Sequence, residues 1–230
     1  MPFVRFIIYL FLGCISPKEV YLVKWMDFSS KYGIGYLLSN GSSGFYFNDG
    51  SSLILTADKK RGHYFQPGED NKKILVRESF LAEDPKDSVK HKLELMSKFD
   101  GFLHAPAAGP GTPHYNVGGD LLFVVKFFRT SKATFFRLSH RILQVNFFDH
   151  CKLIFSDEGR TIFFIDQEKR CLAFPVSISR VHLPSGITSK LQYVSEVFEN
   201  MVKTSSAAPP INSAVRTPSG LGRSVYTSNT

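Results

Sequence analysis

The chain has 230 residues, is 43% hydrophobic and carries a formal charge of +8, which excludes a disordered polyelectrolyte and allows one compact domain or two small ones sharing a core. Aromatics are Phe-heavy, with 22 Phe, 9 Tyr and one Trp, so pleated, half-buried surfaces are favoured. The charge suits a polyanionic partner without choosing among phosphoprotein, nucleic acid and acidic membrane, and Cys14, Cys151 and Cys171 fit neither metal spacing nor a disulfide framework, reading as reduced intracellular thiols.

In chain order, residues 1–19 form an apolar lead-in. The run Phe6–Ile15 behind Arg5 is shorter than the roughly 20 residues a membrane span needs. It reads as a lead-in strand, as the apolar centre of a secretory signal over residues 1–15, or as an artefact of a truncated gene model. Residues 20–103 then give β-type runs at Gly35–Leu38, Gly44–Asn48, Ser52–Thr56 and His63–Phe65, separated by Ser39-Asn40-Gly41 and Asn48-Asp49-Gly50. A helical stripe follows at Val89, Leu93, Met96, Phe99 and Leu103. Residues 104–120, rich in Pro and Gly, cannot continue that helix and read as a linker. Residues 121–203 repeat the scheme, with runs at Ala133–Leu138, Leu143–Phe148, Lys152–Ser156 and Thr161–Asp166, the turn Asp157-Glu158-Gly159, and a stripe at Leu191, Val194, Val197, Phe198, Met201 and Val202. The Ser, Thr, Ala and Pro of residues 204–230 predict a disordered tail.

The two halves match without gaps at an offset of one hundred residues: Leu38-Ser39 with Leu138-Ser139, Phe47 with Phe147, Asp49 with Asp149, Leu53-Ile54 with Leu153-Ile154. Duplication of one β-rich unit explains such a register. Closely spaced hairpins imply antiparallel sheets, and packing one sheet on the other buries both apolar faces and leaves a cleft between copies.

Duplicated halves carry an internal control, because chemistry present in one copy alone is a candidate for function. His150 and Lys152 replace Gly50 and Ser52. Read as strand residues two apart, they share a face at roughly 6.5–7 Å and present two nitrogen donors to one anion, such as a phosphate monoester. Trp25, the lone Trp, and Arg129 precede the two repeats and are further candidates, whereas Lys59-Lys60-Arg61 reads as a solvated basic loop.

Lys24-Trp25-Met26-Asp27-Phe28-Ser29-Ser30-Lys31-Tyr32-Gly33-Ile34-Gly35-Tyr36, then Phe45-Tyr46-Phe47-Asn48-Asp49, resembles the first polo box of Polo-like kinases. Val145-Asn146-Phe147-Phe148-Asp149-His150-Cys151-Lys152-Leu153-Ile154, with Phe127-Phe128-Arg129-Thr130 before it, is similar to the second. The resemblance spans residues 20–203 and implies an α+β fold: two β6α polo-box repeats packed as an antiparallel β-sandwich, with a helix after each sheet. It implies a phosphate pincer at His150 and Lys152 and a peptide groove involving Trp25, Leu22, Asp27, Arg129 and Phe148, which prefers Ser before the phosphorylated residue. The implied partners are phosphorylated Ser/Thr motifs and, in a full-length form, the kinase's own catalytic domain. Centrosome or spindle pole, kinetochore and nucleus are the implied locations. The sequence departs from the family pattern in three ways. The stretch before His150 is one residue shorter, His104-Ala105-Pro106-Ala107 replaces the surroundings of a peptide-contacting Leu, and Tyr21 stands where a second Trp is usual.

No Gly-rich loop, catalytic-loop motif, nucleophile–base pair, paired carboxylates or metal cluster appears, so the chain reads as non-catalytic, without cofactor or metal, and as a fragment, a truncated gene model or a free-standing adaptor. Neither RNP-type motif nor zinc spacing supports nucleic acid, and no membrane partner is expected. The leading function is phosphopeptide-dependent targeting of a Polo-like kinase in cell division. The alternative is a scaffold or dimerisation module that binds partners independently of phosphate.

Overall fold

Alternating runs and tight turns set the strands in the computed structural model, which describes residues 20–68, 74–103, 121–178, 183–206 and 225–227. The lead-in, its secretory alternative and the linker lie outside those residues. The first repeat forms β1 (Leu22–Phe28), β2 (Gly33–Leu38), β3 (Ser43–Phe47), β4 (Ser52–Leu55), β5 (Arg61–Pro67) and β6 (Ile74–Leu81), followed by helix α1 (Asp87–Leu103). The second forms β7 (Val124–Arg129), β8 (Ala133–Leu138), β9 (Leu143–Phe147), β10 (Lys152–Ser156), β11 (Thr161–Ile165) and β12 (Cys171–Pro175), followed by α2 (Ser185–Ser206). Each set is a meander in sequential order. A short strand, β13 (Val225–Thr227), pairs antiparallel with the outer edge of β6. Of the tail expected to lack regular structure, residues 204–206 close α2 and residues 225–227 form this strand, while residues 207–224 and 228–230 lie outside the described residues.

The chain divides into two compact units, one reaching to Ala173 and including Ser224–Thr230, the other covering Phe174–Arg223. In the first unit the inner faces of both sheets meet in one core, which includes Ile34, Tyr36, Ile54 and Phe65 from the first repeat and Val124, Phe136, Ile154 and Phe163 from the second. The outer face of the first sheet is covered by α1. Val89 and Met96 are buried against Phe45, Leu53, Tyr64 and Phe80, with Leu93 and Phe99 packed alongside, as the three- and four-residue spacing requires. In the second unit, α2 buries Ile187 and Val194, while its last apolar positions, Phe198, Met201 and Val202, surface. Among the described residues no helix is long and apolar enough to cross a membrane.

Cross-strand pairing gives each inner face two rows. In the first sheet, one row runs Trp25, Tyr36, Gly44, Ile54, His63, Ser79, and the next Asp27, Ile34, Tyr46, Ser52, Phe65, Arg77. In the second sheet the corresponding rows are Phe127, Phe136, Gln144, Ile154, Phe163 and Arg129, Thr134, Asn146, Lys152, Ile165. Both β1 and β7 carry a bulge at the same point, after Leu22 and after Val124. Residues opposite each other in the sheets thus define counterparts: Trp25 with Phe127, Asp27 with Arg129, Gly44 with Gln144, and Ser52 with Lys152.

A bulge leaves backbone groups unpaired on an edge strand, and each copy satisfies them with side chains of the other. The Val124 N–H donates to Tyr36 Oη at 3.1 Å and its carbonyl accepts from Ser52 Oγ at 2.8 Å. At Leu22 one residue does both jobs: Gln144 Oε1 accepts from the Leu22 N–H at 2.7 Å and Gln144 Nε2 donates to the Leu22 carbonyl at 2.8 Å. Gly44 makes the first arrangement possible, since a Cβ there would lie 2.3 Å from the Tyr36 ring.

Candidate functional site

This division of labour frees position 152. In the first copy Ser52 is consumed by the sheet-to-sheet bond. In the second, Gln144 has taken over that bond and the residue at the Ser52 position is a lysine. The first-copy row is also closed by rings: Tyr46 meets Phe127 edge-on at 5.9 Å and Phe65 stacks on Phe123 at 3.9 Å. The second-copy row is polar. Lys152 is half-buried and, among the described residues, its ammonium has no hydrogen-bond or ion-pair partner. Beside it Asn146 Oδ1 accepts from Gln144 Nε2 at 2.8 Å, while Asn146 Nδ2 and Thr134 Oγ1 are buried without partners. Burial first, and then the nearby charge of Lys169, hold the Lys152 pKa below the ordinary lysine value.

His150 is not on a strand, contrary to the two-residue face argument. It closes the β9–β10 turn, donating its N–H to the Phe147 carbonyl at 3.0 Å, while Phe147 N–H donates to Cys151 O at 2.9 Å. Asp149 Oδ1 accepts from the Cys151 N–H at 3.1 Å. The first copy builds the same turn, with Gly50 at φ 83° where His150 has φ 68°. The glycine marked a left-handed position, so His150 stands exposed at the turn tip while Lys152 opens β10 on the inner face. A non-glycine residue in this conformation is strained by about 1 kcal/mol. His150→Gly is therefore expected to raise stability by about that amount in chemical denaturation. A loss of stability on that substitution would contradict the strain argument.

The remaining expected residues divide. Trp25 is half-buried on β1, its ring edge-on to Phe136 at 5.6 Å. Asp27 and Arg129, counterparts on the two sheets, pair across at 3.9 Å, and the Arg129 guanidinium lies 5.0 Å from the centre of the exposed Phe148 ring. Asp27, Arg129 and Phe148 are thus linked in a chain across both sheets, and Trp25 lies two residues before Asp27 on the same face of β1. Leu22 does not join them. Its side chain is 0% exposed in the shared core and its backbone is clamped by Gln144, so it offers a ligand no surface. Two participants escaped the sequence reading. Lys169, at φ 64° in the β11–β12 turn, places a further charge near Lys152. Gln144 was hidden because its partner is 122 residues away. Among the described residues no three His, Cys, Asp or Glu side chains are placed to hold a metal.

Comparison with known proteins adds the family. The profile of the polo box duplicated region matches residues 30–94 and 130–191. The chain belongs to the polo-box family. Curated relatives include the serine/threonine-protein kinase plk-1 of Caenorhabditis elegans, 30% identical over 83% of this chain and 30% of that protein. They also include the probable serine/threonine-protein kinase CCRP1 of Zea mays, 34% identical over 67% of this chain and 25% of that protein. The chain thus spans less than a third of either relative, and what matches is the polo-box region, a non-catalytic part of Polo-like kinases. Among solved structures, the budding yeast Cdc5 polo-box domain in complex with a Spc72 phosphopeptide superimposes with a TM-score of 0.68 at 24% identity, covering 83% of this chain and 72% of that one. The same yeast domain in complex with the Dbf4 polo-interacting region gives 0.65 at 23% identity, covering 81% and 74%. The polo-box fold accounts for the paired six-stranded meanders, each followed by a helix.

Proposed function

We propose that this polo-box chain binds phosphoserine or phosphothreonine peptides and so targets a Polo-like kinase to phosphorylated partners in cell division. The observation that carries the proposal is Lys152: a half-buried ammonium without a partner among the described residues, at the one inner-face position that Gln144 has relieved of structural duty. A phosphate monoester carries about −1.5 to −2 charges and three acceptor oxygens. Such a ligand offsets the desolvation that lowers the Lys152 pKa. His150 at the turn tip is the second donor, and Lys169 adds charge. Trp25 supplies a flat wall and an indole donor beside the Asp27–Arg129 bridge and Phe148, and is assigned to the Ser that precedes the phosphorylated residue. The Cdc5 complex with a Spc72 phosphopeptide supports this reading. The setting is intracellular, at spindle poles, kinetochores or the nucleus, where a full-length kinase meets partners already phosphorylated.

Fluorescence anisotropy with a Ser-phosphothreonine peptide and its unphosphorylated twin tests the proposal. Two charge-assisted hydrogen bonds, at about 1.5–3 kcal/mol each, give a preference of roughly 100-fold or more for the phosphorylated form. Trp25→Ala is expected to weaken both peptides by about tenfold or more and leave their ratio unchanged. Equal binding of the two peptides by the unaltered chain refutes the proposal and leaves the phosphate-independent scaffold.

A further inference from the structure

A second constellation, on the other half of the duplication, is not used by this reading. His63 lies on the inner face of β5 in the same row as Trp25, four strand spacings or about 19 Å away. Its Nδ1 is 3.1 Å from Arg77 Nη2 and 2.9 Å from Ser79 Oγ, both on β6. A guanidinium has no acceptor, so Nδ1 accepts from Arg77, the ring is the neutral tautomer, and the Nε2–H remains as a donor. Arg61, two residues before His63, is close enough for its charge to act on the ring. Burial, Arg77 and Arg61, in that order, push the His63 pKa down to about 4. Among the described residues neither arginine has a carboxylate partner. Glu78, the nearest acid in sequence on β6, sits next to Ser79 on the opposite face, where it pairs with Lys86 at 3.0 Å and accepts from Ser88. Asp58, in the β4–β5 turn, is engaged by Thr56 and by the Lys60 N–H.

The internal control applies again. The second-copy counterparts of Arg61 and His63 are Thr161 and Phe163, and Phe163 is a buried core ring. A folding requirement that a phenylalanine meets in one copy is met in the other by a histidine held neutral beside two guanidinium groups that have no carboxylate partner among the described residues. Arginine forks match tetrahedral oxyanions in a bidentate manner, and Ser79 and the imidazole complete a half-ring of donors that holds no acid among the described residues. Leu81, paired with Arg61 and 50% exposed, gives the constellation an apolar shoulder.

We infer that Arg61, His63, Arg77 and Ser79 form a second oxyanion site, which takes a phosphorylated side chain of a protein ligand independently of His150 and Lys152. Because the site is on the first sheet and shares no residue with the His150 and Lys152 pair, a ligand phosphorylated at two places whose spacing matches the two sites engages both at once and gains affinity by multivalency.

The test uses the full chain carrying His150→Ala and Lys152→Met, so that its outcome is separate from that of the phosphopeptide proposal. N-acetyl-phosphoserine amide, N-acetyl-glutamate amide and sodium chloride are titrated at equal ionic strength while the His63 ring is followed by NMR. The phosphoserine derivative is expected to shift the ring resonances saturably and to move the His63 midpoint from about 4 towards its ordinary value of 6.5. Arg77→Gln and, separately, Arg61→Gln are each expected to weaken that response by about tenfold. A response no larger than that to chloride, an equal affinity for the glutamate derivative, or an unchanged response in both arginine variants overturns the inference.

Discussion

In a chain carrying both His150→Ala and Lys152→Met, phosphorylated and bare peptides are expected to bind with the same affinity. The loss falls on the phosphorylated peptide alone and amounts to about 3–6 kcal/mol, the sum of two charge-assisted bonds. Anisotropy titrations of both peptides check it. The folded state is expected to hold or gain stability. Lys152 is a half-buried cation whose pKa is already lowered by burial and by Lys169, and methionine keeps its length without the desolvation penalty. A melt in the absence of peptide that drops steeply would place Lys152 in the framework instead. A retained preference for the phosphorylated peptide would assign the phosphate to other residues.

Gln144→Leu is expected to be the most damaging single core substitution. It strands the Leu22 N–H and carbonyl together with one partner of Asn146, all buried between the sheets. Each stranded backbone group costs about 1–3 kcal/mol, so a loss of about 2–6 kcal/mol is expected in urea or guanidinium unfolding. That is a large fraction of the roughly 5–15 kcal/mol that holds an ordinary domain together. Ser52→Ala removes a single bond, the one to Val124, and is expected to cost about 1 kcal/mol. A Gln144→Leu chain as stable as the parent would show that the clamp on Leu22 carries no weight. Position 152 could then not be said to depend on it.

The pattern of residues made the inner strands legible and the outer ones less so. Ala133–Leu138 and Lys152–Ser156 are strands over the expected residues, because alternating apolar positions and a tight turn at each end leave little freedom. The edge strands β1 and β7 were marked only as motifs. A bulge breaks the alternation of each, and the bonds that satisfy them come from the partner sheet. The hundred-residue register also hides a slip. Between matched pairs, Asp27 with Ile34 and Arg129 with Thr134, the second copy is two residues shorter, so Asp27 matches Arg129 and Trp25 matches Phe127.

At the site, the residue types were legible and their geometry was not. That His150 and Lys152 replace Gly50 and Ser52 is plain from the duplicate halves. That Gly50 marked a left-handed turn, and so moved His150 off the strand, follows from glycine's conformational freedom and was open to a closer reading. Leu22 was carried over from the family pattern without the local burial that decides against it. Gln144 and Lys169 act through contacts that cross the sandwich or the sheet, and no periodicity within one strand reveals such contacts.

The most direct measurement follows the side chains of His150 and Lys152 by NMR while a Ser-phosphothreonine peptide is titrated into the chain. Both are expected to shift saturably at one common midpoint, with the lysine ammonium's pKa rising as the peptide fills the site. A peptide that binds while both side chains stay still would contradict the assignment of its phosphate to them.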